Sequence, residues 1–557
     1  MILFPFRYLW WLISSLRRSI GRPPEYVLFV LEVSLPALPD PPRPFWQRFA
    51  GRPRLSLKEL GERFDAIARD ARIKGVVLHL RGVGMPMATL QDLRELVGRL
   101  RKADKRVLAW APSYGTGTYY LACACDEILL MPGGAVQPIG FASTGVFLAD
   151  GLARFGISAD FIQVSPYKSA ADPLTKSKMS PELREQVTWL LESQYQELVN
   201  AIKDSRLLDE DGARKLIDCS PYTDDVVVEQ HVIDRVVAEE ELPAHVAGRI
   251  GTWEQAQRKM RTPAPTLRFG KYVALIRIEG SIIDGRSARL PIRPPVVVPL
   301  LGDDRAGDLT VVQVARQVAA DKRVAAVVLY VNSRGGSTTA SEAMRQALSV
   351  VASRKPLVVV MGPVAGSGGY DVSTPASWIV ARPGTLTGSI GVLGGKIVTG
   401  GLFSKLLFNR ETVAFGEHAT MESDERPFSP EERETFARSI DHFYRGFLEV
   451  VARSRRITVE ELEPIAQGKV WTGRQALERK LVDELGGLDA GLKKARQLAG
   501  LTETTPLRDV RGPRRLIPPL AAPAQAGGWL GYLLDGLALL NRAPALAVME
   551  YLPGELT

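Results

Sequence analysis

A serine flanked by glycines is the first candidate for chemistry. Residues 365–370 read AGSGGY and directly follow an apolar run that predicts a buried strand. Glycines allow a sharp turn from strand to helix, and such a turn projects the hydroxyl of Ser367 from the backbone. The Gly368 amide would then lie at a helix N-terminus, where N–H groups lack helical partners. With an amide of the Gly335-Gly336 turn, it could stabilise an oxyanion, although the same pattern also fits an ordinary Gly/Ser turn.

Lys168 is the candidate base. None of the five histidines lies in a Gly- or Ser-rich turn, so a Ser-His-Asp site lacks its base. Lys168 lies in the stretch SPYKSA, which is otherwise uncharged. Burial lowers the pKa of a lysine toward neutrality, and the neutral amine can accept a serine proton. Taken alone, Lys168 is better explained as a solvated surface lysine.

The two halves of the chain are related by duplication. The segment VVLHL at Val76 parallels VVLYV at Val327, 251 positions later, and the same offset pairs Ile128 with Ile379. The offset then becomes 249, which pairs the two Ser-Pro-Glu triplets at 180 and 429. A register kept this long indicates an internal repeat.

The repeat register separates the candidate nucleophile from the candidate base. Ser367 aligns with Thr116, and Lys168 aligns with Ala419. Each repeat therefore carries a part that the other lacks. This is expected when two duplicated domains build one site between them.

Five segments follow from this register. We expect a membrane-associating segment at 1–24, a first repeat with the lysine at 25–250, a linker at 251–270, a second repeat with the serine at 271–500, and a Pro-rich and apolar tail at 501–557.

Each repeat alternates apolar runs with amphipathic stretches. Continuous Val/Ile/Leu runs between helices are typical of parallel strands buried on both faces, so the fold class is α/β, repeated. Both Ser-Pro-Glu triplets have the pattern of a helix start. The predicted strands are Tyr272–Ile278, Ala325–Asn332 and Pro356–Met361. The predicted helices are Leu309–Ala320, Ser341–Ala352, Glu182–Ile202, Glu431–Val451 and one beginning near Gly368.

The ends of the chain leave alternatives open. Residues 1–16 are strongly apolar and are followed by Arg17 and Arg18, which favours a membrane-surface anchor over a secretory signal. A helix or strand docked on the body is the alternative. In the tail, Pro513–Pro523 is proline-rich, and Trp529–Leu540 could contact membrane, cap the active-site entrance or form a core or interface helix.

Composition excludes several classes of protein. The chain is 45% hydrophobic and 24% charged, which are ordinary globular values. Its net charge of +9 is compatible with an anionic membrane surface, but no Lys/Arg cluster is interleaved with aromatic residues, so we expect no nucleic-acid partner. Three cysteines cannot form a disulfide framework, and the histidines lack metal-ligand spacing. We expect neither a metal nor a cofactor.

In the candidate serine, lysine and glycine segments, the chain resembles the signal peptide peptidase A family, also called protease IV, in its long two-repeat form. The resemblance covers about residues 25–500. The segments that carry it are Tyr167-Lys168-Ser169-Ala170, Asp172-Pro173, Val331-Asn332-Ser333, Gly335-Gly336-Ser337, Ser367-Gly368-Gly369-Tyr370, Ser373-Thr374-Pro375, Leu386-Thr387-Gly388-Ser389-Ile390-Gly391, Gln467-Gly468 and Val470-Trp471-Thr472-Gly473.

The resemblance implies a crotonase/ClpP-like fold and a Ser/Lys protease. It implies Ser367 as nucleophile, Lys168 as base, the Gly336 and Gly368 amides as oxyanion hole, and Ser389 as the residue that orients the lysine. Substrates would be released signal peptides and other short apolar peptides. It further implies a homo-oligomer, such as a tetramer-like ring, at the bacterial inner membrane.

Two positions depart from the family pattern. Arg334 stands before the Gly pair where the family usually has proline, and Gly366 precedes the nucleophile where it often has alanine. Neither change removes a catalytic group. A coenzyme-A-dependent enzyme of the same fold and a catalytically idle peptide-binding scaffold are the rival interpretations.

The surroundings of Ser367 predict its specificity. The nearby residues are mostly apolar, namely Val364, Ala365, Tyr370, Val392 and Leu393, with Asp371 as the exception. A pocket lined in this way should reject charged side chains, because burying an unpaired charge is costly. It should accept Ala, Leu and Val.

Overall fold

The chain divides into two compact units. The computed structural model describes residues 21–32, 34–40, 54–82, 84–223, 226–260, 270–288, 304–512 and 546–548, together with Tyr8, Trp10 and Trp11. The first unit comprises residues 1–142, 192–269 and 554–557, and the second comprises 143–191 and 270–553. The predictions for Pro513–Pro523 and Trp529–Leu540, and most of those for 1–24, lie outside the described residues.

The strands are numbered in chain order. They are β1 (Tyr26–Leu31), β2 (Gly75–Leu80), β3 (Arg106–Gly115), β4 (Glu127–Gln137), β5 (Ser158–Gln163), β6 (Tyr222–Thr223), β7 (Arg235–Val236), β8 (Ile250–Thr252), β9 (Tyr272–Glu279), β10 (Ser281–Ile283), β11 (Arg305–Gly307), β12 (Val324–Ser333), β13 (Gly335–Ser337), β14 (Leu357–Gly366), β15 (Trp378–Ala381), β16 (Leu386–Gly388), β17 (Leu393–Val398), β18 (Val470–Thr472), β19 (Glu484–Leu485), β20 (Leu507–Asp509) and β21 (Leu546–Val548).

The α-helices are numbered in the same way. They are α1 (Leu57–Arg69), α2 (Met87–Lys102), α3 (Thr116–Ala122), α4 (Ala149–Arg154), α5 (Asp172–Thr175), α6 (Pro181–Arg206), α7 (Glu210–Asp218), α8 (Leu242–His245), α9 (Trp253–Gln257), α10 (Asp308–Ala320), α11 (Thr338–Ala352), α12 (Gly368–Asp371), α13 (Gly400–Lys405), α14 (Pro430–Arg455), α15 (Val459–Leu462), α16 (Gly473–Glu478) and α17 (Leu488–Leu498). Among the helices that the structure describes, none combines the length and apolar character needed to cross a bilayer.

The main sheets of the two units have the same topology. The first has the order β6-β4-β3-β2-β1-β8, with β7 beside β4, and the second has the order β18-β16-β14-β12-β9-β20, with β15 beside β14 and β19 beside β15. The central strands of both sheets are parallel. Fully buried runs such as that of β2 explain why these strands read as continuous apolar segments. The predicted repeated α/β fold is confirmed.

Matching side chains hold the same places in both repeats. Tyr119 Oη donates to Val232 O at 2.6 Å, and Tyr370 Oη donates to Leu481 O at 2.7 Å. The amide N–H groups of Ile128 and Ile379 likewise donate to aspartate carboxylates, at 2.6 and 2.7 Å. The tyrosine contacts are buried and the aspartate contacts are partly buried. Because both repeats need these residues at the same places, the duplication is still visible in the sequence.

The elements predicted for the second repeat are present as β9, α10, β12, α11, β14 and α12. Strand β14 runs on to Gly366, because the backbone pairs with β16 up to the contact between Gly366 and Gly388. Helix α11 begins at Thr338, because Ser337 Oγ accepts from Ala340 N–H at its start. The long helices that follow the Ser-Pro-Glu triplets are also present, and Ser429 caps α14 with a capping box.

Segment 143–191 belongs to the second unit, although by sequence it lies in the first repeat. Its strand β5 pairs antiparallel with β17 along six residues. Leu183, Val187 and Leu190 form a buried apolar cluster with Leu386 and Val470. The catalytic candidates Lys168 and Ser367, which come from different repeats of the sequence, therefore lie inside one compact unit.

A buried ion pair stabilises the second unit, and removing it gives a test of the fold. Asp483 accepts from Ile379 N–H at 2.7 Å and from Arg455 at 2.6 and 3.1 Å, and the Arg455 side chain is only 7% exposed. Asp483→Ala leaves a buried guanidinium without its partner, so we expect a loss of about 3 kcal/mol in the free energy of unfolding. Chemical denaturation measures it.

The matched control is Asp441→Ala, which removes an aspartate that pairs with Arg445 on an exposed helix face. That change should cost less than about 1 kcal/mol. Equal losses in the two variants would contradict the structural role given to Asp483.

Candidate active site

Ser367 is held in a strained turn between β14 and α12. Its backbone has φ 55° and ψ −117°, a region that non-glycine residues rarely adopt, and its side chain is fully buried. Ser367 N–H donates to Gly388 O at 2.8 Å, while Ser367 O accepts from the N–H groups of Tyr370 and Asp371, both at 2.9 Å. These bonds fix the backbone and with it the direction of the hydroxyl.

Lys168 lies against the Ser367 hydroxyl. Its Nζ is 2.7 Å from Ser367 Oγ and 2.9 Å from both Oγ and O of Ser389, and all three residues are fully buried. A neutral amine has two hydrogens and one lone pair. It can donate to the two Ser389 oxygens and accept the Ser367 O–H, which is the arrangement that a general base requires.

Ser389 is placed by strand pairing. It directly follows β16, whose Gly388 lies opposite Gly366 in the sheet. Its own backbone has φ 50°, and its N–H donates to Lys469 O at 2.7 Å. Its hydroxyl and carbonyl both face the lysine amine, so a single residue supplies two oxygen contacts that orient Lys168.

The two glycine turns abut each other. A Cβ on Gly369, in the nucleophile turn, would lie 2.5 Å from Ser333 O, the carbonyl at the end of β12. Gly336 has φ 155°, and a Cβ there would lie 2.0 Å from Ile282 O. Gly335 N–H donates to Ser333 Oγ at 3.1 Å, so Gly336 remains the donor candidate from this turn. Only glycine fits these positions without backbone movement.

Gly468 makes room for the lysine. Its φ is 79°, and a Cβ at this position would lie 2.7 Å from Lys168 Cβ and 2.8 Å from Lys168 Cα. Gly468 N–H donates to Ile390 O at 2.8 Å, and Ser165 Oγ donates to the carbonyl of the neighbouring Gln467. This role of Gly468 was not predicted, and the place of Gly468 in the Gln467-Gly468 motif was the available signal.

Aromatic residues anchor the lysine segment. Trp189 stacks on Trp471 with centroids 4.8 Å apart and an interplanar angle of 16°, and Tyr167 lies 6.0 Å from Trp189. Trp189 Nε1 donates to Val470 O at 2.9 Å, and Val470 N–H donates to Gln186 Oε1 at 2.8 Å. These contacts connect the chain segments before and after Lys168 to β18.

Asp371 links the helices that follow the two glycine turns. Burial raises the pKa of its carboxyl to about 7, with Arg345 opposing the rise and Glu342 adding to it. Arg345 Nε, on α11, is 3.4 Å from Asp371 Oδ1, on α12. The one charged residue noted near the nucleophile thus joins its helix to that of the Gly335-Gly336 turn.

The expected apolar lining is only partly correct. Tyr370 is fully buried in the hydrophobic core with its hydroxyl bonded to Leu481 O, so its assignment to a substrate pocket is wrong. Helix α12 directs this side chain into the hydrophobic core. Ala365 and Val392 also belong to the core, whereas Val364 is half-buried.

Gly468→Ala should displace the lysine. A Cβ at this position meets Lys168 backbone and side-chain carbons, so the amine moves from Ser367 Oγ. We expect kcat for peptide cleavage to fall at least about tenfold, since small misplacements of catalytic groups are costly. Steady-state kinetics with a fluorogenic peptide would measure it.

Gly446→Ala is the matched control, because a Cβ there meets no atom within 4 Å and lies in helix α14. It should keep full activity. Wild-type kcat in Gly468→Ala would show that Gly468 does not position Lys168.

Comparisons with known proteins identify relatives of the chain. The model for peptidase family S49 matches residues 99–260 and 349–502. The chain is 30% identical to the serine protease SPPA, chloroplastic, of Arabidopsis thaliana over 464 residues, which cover 80% of this chain and 66% of that protein. It is 33% identical to protease 4 of Salmonella typhi over 454 residues, which cover 78% and 70%.

Protease 4 of Haemophilus influenzae is 28% identical over 463 residues, which cover 79% of this chain and 72% of that protein. The chain thus spans 66% to 72% of the length of these three relatives. The family match occurs twice, once in each repeat, and together the two matches cover more than half of the chain. The chain therefore belongs to peptidase family S49 and is a serine peptidase.

Proposed function

We propose that Ser367 and Lys168 form the catalytic dyad of an endopeptidase that degrades released signal peptides and other short apolar peptides at a membrane. The observation that carries the proposal is the 2.7 Å distance between Lys168 Nζ and Ser367 Oγ in a fully buried setting. Burial disfavours a charged amine, so the contact fits a neutral lysine that takes a proton.

The proposed reaction is acyl transfer. Lys168 takes the hydroxyl proton as Ser367 Oγ attacks the peptide carbonyl carbon, and the Gly336 and Gly368 amides donate to the developing oxyanion. The C–N bond breaks, Lys168 protonates the leaving amine, and a water molecule that Lys168 deprotonates then hydrolyses the acyl-enzyme. Ser389 keeps the lysine amine directed at Ser367 throughout.

Exposed apolar side chains support contact with a membrane or with further copies of the chain. In the segment that follows α13, Leu407 is 86% exposed, Val413 89% and Phe415 94%, and Leu406 and Phe408 are also exposed. Such clusters mark interaction surfaces on soluble units. We propose a membrane-associated homo-oligomer, a tetramer-like ring, at the bacterial inner membrane.

The dyad is tested by single and double substitution. Ser367→Ala and Lys168→Ala should each lower kcat/KM at least about a thousandfold, and the double variant should be no worse, since members of one catalytic unit are non-additive. Labelling by a fluorophosphonate probe should be lost in Ser367→Ala. Circular dichroism checks the fold.

Thr116→Ala and Lys178→Ala are the controls. Thr116 holds the equivalent repeat position to Ser367, and Lys178 is an exposed lysine ten residues from Lys168. Both should retain wild-type activity. Substantial cleavage by Lys168→Ala at neutral pH would rule out the lysine as base, and an unreactive Ser367 in the wild type would favour an idle scaffold.

Specificity is tested with a peptide library that varies only the residue before the cleaved bond. Val364 and Leu393, at the ends of β14 and β17, keep the surroundings of Ser367 apolar, so we expect preference for Ala, Leu and Val. Mass spectrometry of the products reports the cleaved bonds. Preference for Lys, Arg, Asp or Glu at that residue would show that the pocket is not apolar.

A further inference from the structure

A strand from the tail of the chain lies in the second sheet of the second unit. This sheet has the order β11-β10-β13-β21-β17-β5, and β21 comprises only Leu546–Val548. It is antiparallel to β13, with Gly335 opposite Val548, Gly336 opposite Ala547 and Ser337 opposite Leu546. On its other side Leu546 pairs antiparallel with Leu393 of β17.

The two neighbours of β21 are the strands that border the candidate catalytic residues. Strand β13 carries Gly336, the candidate oxyanion donor, and β17 begins four residues after Ser389, which contacts Lys168. A peptide whose carbonyl enters the oxyanion hole must run beside Gly336. Extended peptides commonly bind in this way, as an added strand held by backbone hydrogen bonds.

From this placement we propose that Leu546–Val548 occupies the position of a peptide substrate, so that the chain carries its own competing ligand. The inference rests on the proposed function. It identifies the groove between β13 and β17 as the peptide-binding site and an extended segment of aliphatic residues as its ligand. The Leu-Ala-Val sequence of the strand matches the residue types that the site is expected to accept.

Substrate must displace the strand before it can bind. If the strand fills the groove nine-tenths of the time, only a tenth of the molecules are competent, and the apparent KM rises about tenfold. Saturating substrate outcompetes the strand, so kcat stays unchanged. Three paired residues form a short strand, which an incoming peptide with a longer match can replace.

The experiment weakens the strand within the full chain. Ala547→Pro removes the N–H of the central residue, which a paired strand needs. We expect KM for a fluorogenic apolar peptide to fall about tenfold, with kcat and Tm as in the wild type. The control is Ala521→Pro, in the proline-rich part of the tail, which should leave KM unchanged.

Two further measurements test whether β21 occupies the groove without relying on the kinetics of Ala547→Pro alone. The synthetic peptide NRAPALAVMEY, which copies residues 541–551, should inhibit Ala547→Pro competitively, and a scrambled peptide should not. In the Ser367→Ala background, Ala547→Pro should bind the fluorescein-labelled copy of this peptide about tenfold more tightly by anisotropy.

The outcomes separate this inference from the proposed function. The inference about β21 would be overturned if Ala547→Pro had the KM and the peptide affinity of the wild type and the copied peptide did not inhibit. The peptidase proposal would still stand in that case, provided that cleavage depends on Ser367. Tighter peptide binding by Ala547→Pro without any Ser367-dependent cleavage would uphold the groove and its occupant and overturn the catalytic proposal.

Discussion

The burial of the Lys168 amine beside the Ser367 hydroxyl is the contact on which the second unit's site depends. An amine taken out of water must find hydrogen-bond partners, and Ser367 and Ser389 both supply oxygens to this one. That requirement accounts for the surrounding structure. Gly468 leaves space for the lysine side chain, and the Trp189–Trp471 stack holds its segment to β18.

Strained backbone conformations and closely packed glycines position Ser367 for its contact with Lys168. Ser367 and Ser389 both adopt positive φ, and each is fixed by a backbone hydrogen bond, to Gly388 O and Lys469 O respectively. Such conformations persist only where the surrounding structure determines them, and they cluster at functional sites. Gly336 and Gly369 let the two turns approach to a distance that no side chain would permit.

The two repeats share the backbone arrangement around Ser367 and Thr116 but differ in the side chains at these positions. Thr116, the counterpart of Ser367, donates its hydroxyl to Gly140 O at 3.1 Å, and Ser367 Oγ lies 3.3 Å from the equivalent carbonyl, Gly391 O. The buried tyrosine and the aspartate that accepts an isoleucine amide are also shared. In the second unit, segment 143–191 adds Lys168 to this arrangement.

The sequence by itself determined the repeat and the parallel strands, and it made Ser367 and Lys168 the candidate pair. Apolar periodicity and glycine-rich turns are local signals, and a register kept over hundreds of residues is visible without any structure. Only the tertiary structure decided that segment 143–191 packs in the second unit, that Tyr370 belongs to the core and that Gly468 borders the lysine. Each depends on residues distant in the chain meeting in space, because packing of side chains and strand pairing between remote segments leave no fixed spacing in a single sequence.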